Sequence, residues 1–125
     1  MSPITRSAVG YEIRHWDPGF TRPHVVSASG ELDLQAAPAL RDVLCRLVEL
    51  GIRHCLVDLT ETTFVDSTTL GVLTGQLVRL RAEGGSLALV CTNDYVLRTI
   101  GIAGMDRVFT IYPTLAEAFA HEGPR

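Results

Sequence analysis

Apolar residues along this chain change their period several times, and each change marks an element. Tyr11-Glu12-Ile13-Arg14-His15-Trp16 alternates apolar and polar side chains, as a strand with one wet face does. Asp17-Pro18-Gly19 then signals a turn, and Val25 to Leu34 resumes as a second strand. The two make a hairpin, with Trp16 as its anchor. The period then lengthens. Leu40, Val43, Leu44, Leu47 and Leu50 recur at helical spacing, Pro38 falls in the tolerant first turn and Gly51 stops the run, which predicts a helix over residues 36–50. His54-Cys55-Leu56-Val57-Asp58-Leu59 reads as a buried strand and Thr60-Glu61-Thr62-Thr63 as a polar loop. A helix starting near Ser67 carries Leu70, Leu73, Leu77 and Leu80 on one face and ends at Gly84-Gly85. Ser86–Cys91 is another buried strand, Asn93 caps a short helix to about Ile100, and Val108–Tyr112 is a last strand. Thr114-Leu115-Ala116-Glu117 has the spacing of a capping box before a short final helix.

Strand and helix alternate, so the apolar strands pair in parallel through right-handed crossovers, and the N-terminal hairpin makes the sheet mixed. The expectation is one α/β domain over residues 10–120, preceded by a loose arm (1–9) and followed by a tail (121–125). Its central strands are expected at Val25–Leu32, Cys55–Leu59, Leu87–Cys91 and Val108–Ile111. Leu56, Leu59, Leu70, Leu73, Leu77, Leu89 and Ile111 are expected in its core.

At 125 residues and 46% hydrophobic the chain fits a single packed domain. A net charge of -3 with no clustered basic face argues against direct nucleic-acid binding. The start of the chain has no apolar signal-peptide core, and no segment approaches the ~20 apolar residues that span a bilayer, so the reading is cytoplasmic without membrane partners. Cys45, Cys55 and Cys91 sit among apolar residues at no metal spacing, and the four histidines are scattered, so free thiols and no metal or other cofactor are expected.

Candidate chemistry concentrates where the strand ending near Leu59 gives way to the helix at Ser67. Ser67-Thr68-Thr69 are poor helix-interior residues and good first-turn residues. Ser67 then reads either as a plain N-cap beside Asp66 or as a modification site. A helix start carries free amides and partial positive charge, so it tolerates a phosphate worth about -1.5 to -2 of charge, while a partner docked there would meet new bulk and charge. Glu31 and Asp33 read as solvated carboxylates at a strand end or as part of a docking edge. Gly71 and Gly75, four apart, read as close packing inside the domain or as a flat patch for a partner.

Three motifs carry a resemblance: Gly30-Glu31-Leu32-Asp33, Val57-Asp58-Leu59 with Phe64-Val65-Asp66-Ser67, and Ala103-Gly104-Met105-Asp106-Arg107-Val108-Phe109. Together they resemble the STAS domain family, and more narrowly the bacterial anti-sigma factor antagonists, from about Tyr11 to Phe119. The resemblance implies a STAS-like mixed sheet with helices packed mainly on one side. It also implies a regulatory binding protein that is a kinase substrate and not an enzyme. Unphosphorylated, such a protein binds an anti-sigma factor that is also a serine kinase and so frees a sigma factor; phosphorylation releases it, and a serine phosphatase resets it. Ser67 matches the phosphorylated serine and Asp66 the acidic residue before it. The docking surface implied for the partner comprises Glu31, Asp33, Asp66, Ser67, Thr68, Thr69, Gly71, Val72 and Gly75. One departure is Thr69, where the family usually has glycine.

Other classes fit less well. A hydrolase elbow needs Gly-x-Ser-x-Gly, and Ser67 has Val65 and Thr69 at those places. Response-regulator receivers, for which Asp58 would be the acceptor, rely on a lysine near the fifth strand, and this chain has no lysine. A non-switching STAS scaffold or accessory subunit of a larger signalling or lipid-transport assembly remains the alternative.

Overall fold

The computed structural model describes residues 4–19 and 21–123. Six strands form one sheet in the order of the chain: β1 (Thr5–Ala8), β2 (Tyr11–Trp16), β3 (His24–Leu32), β4 (His54–Val65), β5 (Ser86–Val90) and β6 (Ile111–Tyr112). The first two pairings are antiparallel and the other three parallel, so the sheet is mixed. The helices are α1 (Ala37–Glu49), α2 (Ser67–Ala82), α3 (Asp94–Ile102) and α4 (Leu115–His121), with a 3₁₀ turn at Met105–Arg107.

Strand alternation sends neighbouring side chains to opposite faces, and the two faces build two cores. On one face Val26, Val57, Leu59 and Leu89 pack against Leu40, Leu44 and Leu47 of α1, Leu70, Leu73, Leu77 and Leu80 of α2, and Val96 and Ile100 of α3. On the other, Val25, Leu56, Ala88 and Val90 meet Ala118 of α4, with Trp16 and Phe119 at the margin. Three helices thus share one face and only short α4 takes the other. Of the expected core, Leu56, Leu59, Leu70, Leu73, Leu77 and Leu89 are buried, and Ile111 is half-buried. Trp16 anchors the hairpin, donating from Nε1 to Ser27 Oγ (3.2 Å) and meeting Phe119 edge-on. Asn93 and Thr114 accept the Val96 and Glu117 amides and cap α3 and α4.

Four boundaries differ from the sequence reading. Residues 5–8, expected in the loose arm, pair with β2 as an edge strand; all four side chains are exposed, so no apolar pattern announced it. Residues 1–3, 124 and 125 lie outside the described residues, and the expected tail begins inside α4, which reaches His121. Thr60-Glu61-Thr62-Thr63 belongs to β4, which runs seven residues past its last partner in β5 and pairs there with β3 alone. β-Branched threonines suit such a pleated surface, and the buried Thr62 hydroxyl donates to the Ala28 carbonyl (2.9 Å) across a bulged register. The last strand shrinks to Ile111–Tyr112 because Met105–Arg107 turns and Val108 is left exposed. Leu50, expected on the apolar face of α1, is also exposed, being the C-cap residue.

The hairpin carries a histidine pair, His15 buried and His24 half-buried. His15 Nε2 and His24 Nδ1 lie 2.8 Å apart, His24 Nε2 is 3.7 Å from Asp17 Oδ1, and His15 Nδ1 is buried with no hydrogen-bond partner among the described residues. Burial, and then the charge of His24, hold the His15 pKa below its ordinary value, with Asp17 opposing. A histidine whose folded pKa is depressed charges more readily unfolded, so its contribution is complete above about pH 6.5 and is lost as pH falls from there toward the folded value. Urea unfolding midpoints are therefore expected to drop between pH 7.5 and 5.5, and to drop less in His15→Phe. An equal drop in both would show that the pair is not responsible.

Candidate functional site

β4 ends at Val65 and α2 starts at Ser67, so Asp66 alone makes the reversal. Its backbone is extended (φ −120°, ψ 179°) and its Oδ1 accepts the Thr69 N–H at 3.0 Å. Asp66 is thus the N-cap and Ser67 the first helical residue, which corrects the reading of Ser67 as the cap. Ser67 and Thr68 are exposed, and Ser67 Oγ makes no hydrogen bond to any described residue.

The end of β3 lies alongside. Glu31 pairs in register with Phe64, and Leu32 with Val65, so the Gly30–Asp33 motif and the Asp66–Ser67 motif finish at the same edge of the sheet. Glu31 is exposed, and its amide donates to Gly10 O (2.8 Å). Asp33 is half-buried. Its Oδ1 accepts the amides of Gln35 (2.9 Å) and Ala36 (3.2 Å), which shapes the turn into α1.

Two residues leave the docking set. The Thr69 side chain is fully buried and donates from Oγ1 to the Leu32 carbonyl at 2.6 Å, and Val72 faces the core. Helical periodicity explains both: residues two and five positions after an exposed Ser67 turn toward the sheet. Gly71 and Gly75 lie on the exposed stripe of α2, and a Cβ at either would meet nothing within 4 Å, so close packing inside the domain does not account for them. Gly75→Ala is expected to raise stability by about 0.5–1 kcal/mol, since alanine loses less backbone freedom in a helix. Thermal unfolding measures this; a destabilised variant would mean the space is not open.

Sequence reasoning missed three residues at this edge. Phe64 of β4 stacks on Tyr95 of α3, with ring centroids 6.0 Å apart, and Tyr95 is 51% exposed. Leu34, directly after Asp33, is 67% exposed. Leu34 continues the phase of Leu32 past the end of β3 and Tyr95 lies on α3, so neither breaks a pattern that would have marked it.

The STAS domain model matches residues 18–118. The chain belongs to the STAS domain family. It is 36% identical over 88 residues to the anti-sigma-B factor antagonist of Bacillus subtilis, an alignment covering 69% of this chain and 78% of that one. It is 32% identical over 80 residues to the anti-sigma-B factor antagonist of Staphylococcus aureus, covering 64% and 74%. Among solved structures, an anti-sigma factor antagonist from Mycobacterium paratuberculosis superposes with a TM-score of 0.74 at 26% identity, covering 95% of this chain and 91% of that one. The anti-sigma factor antagonist SpoIIAA in its unphosphorylated form shares the fold, with a TM-score of 0.73 at 20% identity over 85% and 91% of the two chains.

The Ser67 hydroxyl points to solvent at the positive end of a sixteen-residue helix, and the one carboxylate beside it in sequence is engaged in capping. His24 and His54 open β3 and β4, at the end of the sheet away from Ser67, so neither sits where a general base for that hydroxyl would be needed. No helix among the described residues is long and apolar enough to cross a membrane.

Proposed function

We propose that this STAS domain is an anti-sigma factor antagonist whose binding is switched by phosphorylation of Ser67. The reading rests chiefly on one observation: the Ser67 hydroxyl is exposed and uncommitted in the first turn of α2, because Asp66 does the capping. Unphosphorylated, the edge formed by Glu31, the turn at Asp33, Asp66, Ser67, Thr68, Gly71 and Gly75 receives an anti-sigma factor with serine kinase activity. The two glycines allow the partner's backbone to approach α2 closely. Phosphate on Ser67 is accommodated by the helix start, so the domain stays folded while the docking edge gains charge and bulk. A serine phosphatase restores the binding form. The chain acts in the cytoplasm, as a binding protein and kinase substrate, without a cofactor of its own. A related fold solved in the phosphorylated form, SpoIIAA, supports the view that such a domain can carry the modification.

The test is incubation with ATP and the anti-sigma factor recovered by pull-down from the native cell, followed by mass spectrometry. Phosphate is expected on Ser67, with none on Ser67→Ala, which should fold normally because it removes no cap. Phosphate on Thr68 alone, or on no residue, would replace the switch with the scaffold reading.

A further inference from the structure

Ser67 and Glu31 belong to motifs more than thirty residues apart, yet a docking partner must meet them as one surface. The sheet register brings the two strand ends together, and buried Leu70, Leu73 and Leu77 seat α2 against the sheet. One buried hydroxyl ties its first turn directly to the end of β3. Thr69 is 0% exposed, its N–H is held by the Asp66 carboxylate (3.0 Å), and its O–H is held by the carbonyl of Leu32 (2.6 Å). Leu32 is the last residue of β3 and lies between Glu31 and Asp33. The segment Ser67–Thr68 is therefore pinned on both flanks, by the cap before it and by a bond to the neighbouring strand end after it. The β3 side is fixed as well, through the Glu31 amide on Gly10 O and the Asp33 carboxylate on the Gln35 and Ala36 amides. A glycine at position 69 has no hydroxyl and cannot make the tie.

We propose that Thr69 is a positioning residue, whose buried hydroxyl locks the first turn of α2 to the end of β3 and so presents Ser67, Thr68 and Glu31 to the partner in one preset arrangement. The docking part of this proposal rests on the function proposed above. Preorganisation raises affinity by removing the ordering that binding would otherwise require. A partner that fits a flexible glycine-containing turn gains nothing from the tie; one matched to the preset arrangement does.

Thr69→Val keeps the shape and deletes the donor, and Thr69→Ser keeps the donor. Amide hydrogen exchange by NMR needs no partner. In Thr69→Val, protection of residues 67–70 and 31–35 is expected to fall together by about tenfold, as loss of one buried hydrogen bond allows, while Leu87–Val90 of β5 stays unchanged. Thr69→Ser should restore protection to within about twofold. Calorimetry against the anti-sigma factor should show the same pattern, with about tenfold weaker binding for Thr69→Val and near-parental binding for Thr69→Ser. Should valine not be accommodated, Thr69→Gly is read in the same two assays. Unchanged exchange in the valine variant overturns the tie. Loosened exchange with unchanged affinity reduces Thr69 to a structural residue and overturns its positioning role. A parental chain that binds no anti-sigma factor is a separate result: it removes the function, and the docking part of this proposal with it, and the exchange data still decide the tie.

Discussion

Ser67→Asp is expected to fold as the parent does and to bind the anti-sigma factor at least about tenfold more weakly. Position 67 is the first residue of α2, where a carboxylate interacts favourably with the helix dipole, and Asp66 already supplies the cap, so no fold-stabilising contact is lost. At the interface the balance reverses. The new charge would be covered by a partner shaped for a neutral hydroxyl, and taking an uncompensated charge out of water costs several kcal/mol. Each 1.4 kcal/mol is a factor of ten. Phosphoserine, with nearly twice the charge and greater bulk, should weaken binding by about 100-fold or more. Calorimetry of the parent, Ser67→Ala and Ser67→Asp, with circular dichroism on each, separates the effects. An aspartate variant that binds as tightly as the alanine variant would exclude charge at this position as the switch.

Gly30→Ala is expected to lower stability by at least about 3 kcal/mol, a large part of the 5–15 kcal/mol typical of a domain. Two penalties combine. Gly30 has φ +84°, a region strained for any residue with a Cβ, at roughly 1–3 kcal/mol. Its Cβ would also stand 2.0 Å from Gly10 O and 3.2 Å from Tyr11 Cα, both backbone atoms, so the hairpin itself must move. That movement strains the bond from the Glu31 amide to Gly10 O, so the loss of stability reaches the proposed docking edge. Gly10→Ala is the control. Its φ is +101° but its Cβ would meet nothing within 4 Å, so only the conformational penalty of roughly 1–2 kcal/mol applies. Urea titration of both variants decides; equal midpoints would mean that the close approach is not the reason for glycine at position 30.

The sequence made elements legible wherever burial imposed a period. The leucines of α2 at three- and four-residue spacing all face the sheet, and the apolar runs at Cys55–Leu59 and Leu87–Cys91 are its central strands. It was silent where burial imposed none. The side chains of β1 are all exposed, and the threonine-rich end of β4 has a strand's backbone with a loop's polarity. The site divided along the same line. Asp66, Ser67 and Glu31 could be located from motif spacing, but exposure depends on helical phase, and that phase turns Thr69 and Val72 inward while leaving Gly71 and Gly75 open. Tyr95 joins the edge only through its stack on Phe64, a contact between residues thirty-one positions apart that no local pattern encodes.

The strands lie in the sheet in the order in which the ribosome makes them. Every pairing therefore closes a loop no longer than a hairpin turn or one helical crossover, and short loop closures favour rapid assembly. The two N-terminal hairpins can form before α1 has been synthesised, and the edge holding Glu31 and Ser67 is complete once β4 and α2 follow. β5 and β6 arrive afterwards, so the edge carrying Ser67 is among the earlier parts of this protein to be assembled, and substitutions confined to β6 or α4 should alter how long the native state persists more than how quickly it is reached.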